Sequence, residues 1–305
     1  MKSDSTRKAL SPLRYPGGKG ALAQLLTDVL DMNDLRGCPY YEPYAGGAGA
    51  ALRLLSEDSV SMLYLNDADR RVYAFWSSVL KDSEAFIEKV QTTPLTIEEW
   101  HRQKAICSAP KNYKQLEVGF AAFYMNRCNR SGVLTGAGPI GGLSQQGKWR
   151  INVRFNRETL IDRLRYVALR RSQIRVSCLD AIDFLKSNLP RGQARSKSLV
   201  YLDPPYVNKG NRLYLNSYSK QDHINLRNYI QRQTTLCWLI SYDDTALVRS
   251  LYAKYRIFHL PLAYTLQEKR AAHELLIPST NLALPSFFRK GASSQALRLI
   301  DKEVA

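Results

Sequence analysis

The chain has 305 residues, with 44 Lys+Arg against 27 Asp+Glu and a formal net charge of +17. A hydrophobic fraction of 45% and a charged fraction of 23% exclude a mainly disordered chain, and the length suits one large domain or a core with an insert. A pI near 9.7 points to a polyanionic partner, and no run of 18 apolar residues offers a membrane span.

In chain order, the first twenty residues lack the apolar stretch of a secretory signal, so export is not expected. Leu22, Leu25, Leu26, Val29 and Leu30 then recur at helical spacing. A β-rich run over 40–44 passes into Tyr41-Glu42-Pro43-Tyr44-Ala45-Gly46-Gly47-Ala48-Gly49-Ala50, a turn ahead of a helix. Glycines there let a ligand lie against the backbone, and the helix start offers free N–H groups; a bare tight connection would look the same. The spacing matches neither GxxxxGK[ST] nor GxGxxG. A second run, 61–65, leads into Asn66-Asp67-Ala68-Asp69. An acid placed about twenty residues beyond the glycine turn can bridge two ribose hydroxyls of a nucleoside cofactor. One of the two aspartates is expected to cap the helix predicted by Val72, Phe75, Trp76, Val79 and Leu80.

From about residue 81 to 171 the strand–helix alternation stops. The stretch reads as helical, then as a Gly-rich loop (135–147), then as strand-like over 149–155, which predicts a subdomain inserted into an α/β core. Between His101 and Arg175 there are 15 Lys+Arg and three acids (Glu117, Glu158, Asp162), so +12 of the net charge lies there. Charge runs are commonly solvated faces. Here Tyr113, Phe123, Tyr124, Asn126, Asn129, Gln145, Gln146 and Trp149 are interleaved with the cations. Cations that neutralise phosphates, beside groups that stack on or pair with bases, are what a nucleic-acid surface requires.

Five more β-rich runs follow, at 174–178, 198–202, 236–241, 256–260 and 274–277. Strands alternating with amphipathic helices predict a mainly parallel sheet with helices on both faces, and such sheets bind ligands beyond the carboxyl ends of their strands. Cys178-Leu179-Asp180 ends one run, where a helix cap is the plain reading. Asp203-Pro204-Pro205-Tyr206 ends the next. Two prolines cannot continue a ladder; they hold a carboxylate, a carbonyl and a ring in fixed relation. Cys38, Cys107, Cys128, Cys178 and Cys237 are scattered and form no CxxC pair, which argues against a disulfide framework or a zinc site and fits a reducing compartment.

Taken in order, these motifs resemble the Dam-type (D12 class) DNA adenine N6-methyltransferases over roughly residues 11 to 280. The resemblance opens at Arg14-Tyr15-Pro16-Gly17-Gly18-Lys19 and runs through the glycine turn, Asn66-Asp67, the Asp180 strand end, the Asp-Pro-Pro-Tyr tetrad and Ser241-Tyr242-Asp243-Asp244. Tyr124-Met125-Asn126-Arg127 and Gly147-Lys148-Trp149-Arg150-Ile151-Asn152-Val153 are similar to the family's DNA-recognition segment. The Gly-rich stretch 136–142 and Ser144-Gln145-Gln146 depart from the best-known GATC methylases, so a recognition sequence does not carry over.

The resemblance implies a Rossmann-like class I methyltransferase α/β fold. Residues 1–80 and 172–285 would form a discontinuous catalytic core, 81–171 an inserted, mainly helical DNA target-recognition subdomain, and 286–305 a tail. It implies S-adenosylmethionine as cofactor, held by Tyr15, Gly18, Lys19, Glu42, Pro43, Tyr44, Ala45, Gly46, Gly47, Gly49, Asp67, Asp180 and Asp203. Asp203, Pro204, Pro205 and Tyr206 would receive a flipped adenine of duplex DNA. Asn126, Arg127 and Gln145 are the candidate base readers, with Arg130, Lys148, Arg150 and Arg154 as further DNA contacts. Double-stranded DNA is the expected partner, with a restriction enzyme or other defence component as a further candidate; neither a membrane nor a metal is expected. The expected location is cytoplasmic and nucleoid-associated. Two readings compete: an RNA or protein-glutamine methyltransferase on the same fold, and a catalytically silent DNA-binding protein. Asp at position 203 and the basic insert favour DNA adenine.

Overall fold

The computed structural model describes residues 10–14, 22–207, 218–262 and 272–285. The first half of the core alternates as predicted: α1 (Leu22–Met32), β1 (Cys38–Glu42), α2 (Gly49–Ser56), β2 (Val60–Asn66) and α3 (Arg70–Lys81). Four helices of the insert follow: α4 (Ser83–Thr92), α5 (Ile97–Ser108), α6 (Gln115–Cys128) and α7 (Arg157–Leu169). The core resumes with β3 (Ile174–Ser177), α8 (Ala181–Asn188), β4 (Leu199–Leu202), α9 (Lys220–Gln231), β5 (Cys237–Asp243), α10 (Ala246–Leu251), β6 (Phe258–Leu262) and β7 (Ala272–Pro278). Each of the seven β-rich runs is thus a strand. Among the described residues no helix is long and apolar enough to cross a membrane.

The strands form one sheet in the order β3-β2-β1-β4-β5-β7-β6. Strands β1 to β5 run parallel, while β7 is antiparallel to both β5 and β6. Successive side chains of a strand point to opposite faces, and both faces here are covered. Tyr40, Leu199, Tyr201 and Leu239 enter one hydrophobic cluster with α1, α2, α3 and the insert helices. Tyr41, Val200, Leu202, Trp238 and Ile240 enter the other, with α8, α9 and α10. Double coverage is why β4 and β5 read as unbroken apolar runs. The strand order reverses between β1 and β4, which makes the crevice beyond their carboxyl ends the topological switch point of the sheet.

The insert has no core separate from the sheet. Helix α6 is buried from Val118 to Cys128 and lies along α3. Gly119 permits the approach, since a Cβ there would sit 2.5 Å from the Ala74 carbonyl oxygen. Phe75 of α3, Phe86 of α4 and Phe120 and Phe123 of α6 interlock, with the Phe75 and Phe123 rings stacked 5.9 Å apart. The strand-like reading of 149–155 is corrected. Ile151 to Arg154 form a single 3₁₀ turn, and only Ile151 and Phe155 of the alternating apolar positions are buried, whereas Trp149 and Val153 are exposed. An alternating pattern needs a neighbouring strand to become one, and among the described residues this segment pairs with none before Asn156 caps α7.

Candidate active site

At the end of β1, the buried Glu42 leads into the glycine turn. Gly46 and Ala48 take φ of 45° and 46°, the left-handed region, which glycine enters without steric cost and alanine does not. The strain at Ala48 is held by the surroundings. Ala45 N–H donates to the Asn66 carbonyl (2.8 Å), Trp76 Nε1 donates to the Gly46 carbonyl (2.9 Å), and Ser11 Oγ donates to that of Gly47. Ala48 caps α2 with no side-chain hydrogen bond, so the first N–H groups of that helix face the strand-end crevice without a cap.

Asp67 stands at the end of β2 with its carboxylate turned to this loop. Its Oδ2 accepts from Gly46 N–H (3.0 Å) and its Oδ1 from Asp69 N–H (2.9 Å). Burial, with Asp69 close by, pushes the Asp67 carboxyl up to about 7 despite those two donors. Of the two aspartates, Asp69 is the helix cap: it caps α3 by accepting from Arg71 N–H and pairs with the Arg71 guanidinium at 2.6 Å. Asn66 is a buried tie that sequence reasoning did not single out. It donates to the Pro43 and Leu179 carbonyls and accepts from Ser177 Oγ and Leu179 N–H, stitching the ends of β1, β2 and β3 together. Asp180 caps α8 by accepting from Ile182 N–H, and its side chain is exposed at the rim.

Across the switch point, the tetrad leaves the end of β4. Ser241 of β5 donates to Asp203 Oδ1 (2.8 Å), and Ser241 Oγ also meets Tyr201 Oη at 2.8 Å. Tyr206 Oη donates to Glu274 Oε1 on β7 (3.1 Å), and Val207 N–H donates to Asp243 Oδ1 (3.0 Å). The tetrad is therefore held from β5 and β7. Tyr44 meets Tyr218 hydroxyl to hydroxyl (2.7 Å), closing one side. Ser241, Glu274 and Tyr218 were not assigned roles from sequence. The signals available were the Ser241-Tyr242-Asp243-Asp244 segment of the resemblance and an acid at the head of the apolar run Glu274-Leu275-Leu276-Ile277. Tyr15, Gly18 and Lys19 lie outside the described residues.

The recognition candidates divide in two. Asn126 and Arg127 are buried, and their side chains hold the N-terminal segment. Asn126 accepts from Arg14 N–H (2.6 Å) and donates to the Arg14 and Gly132 carbonyls, while Arg127 donates to the Pro12 carbonyl. Burial and the neighbouring Arg163 and Arg14 push the Arg127 guanidinium down to about 9. Gln145 braces its own loop, donating to the Ile140 and Gly142 carbonyls and accepting from Ile151 N–H. All three were expected to read bases; in this structure their polar groups hydrogen-bond to backbone atoms of the protein itself. Arg130, Lys148, Arg150 and Arg154 are exposed, as are Leu143 and Trp149.

A carboxylate, a glycine turn and a second acid converging on the switch point of a parallel sheet are the makings of a nucleoside-cofactor site beside a polar reaction centre. The family model of the D12 class N6 adenine-specific DNA methyltransferases matches residues 15–266. This chain belongs to that class. No curated protein matches it. As a D12 methyltransferase it methylates adenine N6 in DNA in a site-specific manner.

The D12 class depends on S-adenosylmethionine, and the strand ends of this methyltransferase suit such a group. The Ala45–Gly49 backbone can lie close to a ligand, Glu42 offers an acceptor to an ammonium, and Asp67 offers acceptors to ribose hydroxyls. Tyr40 Oη adds a buried polar atom with no hydrogen-bond partner among the described residues. Burial, with Glu42, Tyr201 and Asp203 nearby, raises that phenol well above its usual range.

Proposed function

We propose that this enzyme methylates a flipped adenine of duplex DNA with S-adenosylmethionine as donor, each bound on one side of the β1–β4 switch point. Glu42, Pro43, Tyr44, the Ala45–Gly49 turn, Asp67 and Asp180 hold the donor, with Tyr15, Gly18 and Lys19 supplied by the segment after Arg14. When bound, that donor supplies an electrophilic methyl group on a sulfonium. Asp203 and the Pro204 carbonyl would accept hydrogen bonds from the two N6–H groups of the target adenine, which favours a pyramidal nitrogen with its lone pair available. As the N6–CH3 bond forms, the S–CH3 bond breaks to leave a neutral thioether, and the surplus N6 proton leaves by way of the Asp203 carboxylate to solvent. Pro205 keeps the backbone extended, and Tyr206 stacks on the flipped base. Orientation and polarity are the protein's contribution, so no strong base is required.

The observation that carries this reading is the placement of Asp203. It lies at the end of β4, fixed by Ser241, directly across the strand-order reversal from the Gly46–Asp67 pair. Exposed Arg130, Lys148, Arg150 and Arg154 of the basic insert supply the duplex contacts, and action on DNA is consistent with a nucleoid-associated, cytoplasmic location. A restriction enzyme or other defence component would share the modified sequence.

Asp203→Ala tests the reading. The variant loses methylation by about a hundredfold or more, while donor affinity by calorimetry stays within about threefold. A variant retaining a tenth of wild-type turnover would remove Asp203 from the reaction centre.

A further inference from the structure

We propose that Ser241 and Tyr201 are positioning residues that set the plane of the Asp203 carboxylate through a two-hydroxyl relay. The proposal rests on the reading of Asp203 as the acceptor for the target amine. The sheet register creates the relay. Strands β4 and β5 pair in parallel with Tyr201 opposite Leu239 and Leu202 opposite Ile240, which brings Ser241 beside Asp203. Ser241 Oγ has one proton, and with Asp203 Oδ1 as an acceptor at 2.8 Å that proton goes to the carboxylate. The contact between Ser241 Oγ and Tyr201 Oη, also 2.8 Å, then has Tyr201 as the donor. The order is Tyr201 to Ser241 to Asp203.

Packing alone does not account for these hydroxyls. Tyr201 and Ser241 are both wholly buried; Leu199 and Leu239 beside Tyr201 on the same sheet face are apolar, with Tyr40 and Glu42 on the β1 side. A buried hydroxyl is tolerated when it is satisfied, and each of these satisfies the next. The carboxylate gains most from the arrangement. The last torsion of an aspartate is broad and intrinsically soft, so a carboxylate at a strand end samples a range of planes unless a donor pins one oxygen. Pinning Oδ1 from a rigid central strand fixes the direction of the remaining lone pairs, and Tyr201 in turn fixes the rotor of the serine hydroxyl. Small misplacements of a reacting group can cost about a hundredfold in rate.

The test uses the full-length protein with duplex DNA and measures kcat, KM for DNA, donor affinity and thermal unfolding. Ser241→Ala is expected to lower kcat about tenfold or more, with KM and donor affinity unchanged within about twofold. Ser241→Thr, which keeps the hydroxyl, is expected to recover most of the rate. Tyr201→Phe is expected to lower kcat a few-fold, and the Tyr201→Phe/Ser241→Ala double variant to match Ser241→Ala, because the relay reaches Asp203 through the serine. If Asp203→Ala is inactive while Ser241→Ala keeps full kcat, the relay is wrong and the reading of Asp203 stands. Additive losses in the double variant also overturn the relay. If Asp203→Ala is itself active, the reading of Asp203 falls and the relay with it. Should Ser241→Ala fail to fold, Tyr201→Phe, which removes one oxygen, decides: unchanged kcat overturns the proposal.

Discussion

Asp67 shows how burial at a strand end disfavours the charged form of a carboxylate even when two N–H groups donate to it. Burial beside Asp69 raises its pKa from 3.8 to about 7, so near neutral pH the unliganded site holds a proton for much of the time. Folding therefore takes up a proton here. The stabilising contribution of the protonated acid is full below about pH 4 and is lost as pH rises to about 7. Donor binding as proposed, with Asp67 on the ribose, would have the opposite preference, because an ionised carboxylate offers more acceptors to two hydroxyls than a protonated one. Donor affinity should rise about tenfold per pH unit up to about pH 7 and level off above it. Calorimetry from pH 5.5 to 8.5, in two buffers of different ionisation enthalpy, should also show proton release on binding below pH 7. Asp67→Asn should bind weakly with a flat profile. A flat profile in the wild-type protein would show that Asp67 does not meet the donor.

Helix α6 is the element on which the insert depends, and Gly119 is its closest approach to the core. The added Cβ of Gly119→Ala would meet the Ala74 carbonyl oxygen at 2.5 Å and its carbon at 2.8 Å, both backbone atoms that no rotamer change can move. The variant should lose roughly 2 kcal/mol by denaturant unfolding, seen as a lower midpoint at an unchanged slope; an unchanged midpoint would mean that α6 does not pack as described. The same element shows where sequence reading reaches and where it stops. Strands such as 199–202 are legible as short apolar runs and helical faces such as Leu22–Leu30 by their period, because both patterns record burial directly. Asn126 and Arg127 were legible as polar groups in a basic segment but not as braces. An amide aimed at a base and one aimed at a backbone have the same sequence, and the partners that decide, Arg14 and Pro12, lie more than a hundred residues away. The alternation at 149–155 misled for a related reason, since strand character there needed a neighbour the fold does not supply. Ser241 and Glu274 acquire their roles only through register, Ser241 beside Asp203 across β4–β5 and Glu274 reaching Tyr206 from β7.

At the scale of the whole molecule, charge and chemistry are placed on different parts of one body: reaction groups at the strand ends of the sheet, exposed cations on the insert. Trp149 offers an optical probe of that insert. It is 61% exposed, whereas Trp76, Trp100 and Trp238 are buried, so emission quenched by acrylamide reports on Trp149. Duplex DNA should protect it. Titrations at increasing salt should give a linear fall of log K with log salt, shallower by about one unit in Arg150→Ala or Arg154→Ala. Unaltered slopes in both would move the DNA surface elsewhere. The central claim is that the switch point joins an S-adenosylmethionine site to an adenine-N6 site. Its most direct test is to incubate the purified full-length protein and duplex DNA with donor labelled in the methyl group, then digest the DNA and separate its nucleosides. Label is expected in N6-methyl-2′-deoxyadenosine alone, and Asp203→Ala should abolish it. Label in a cytosine derivative, or no label in DNA while RNA or protein is labelled, would contradict it.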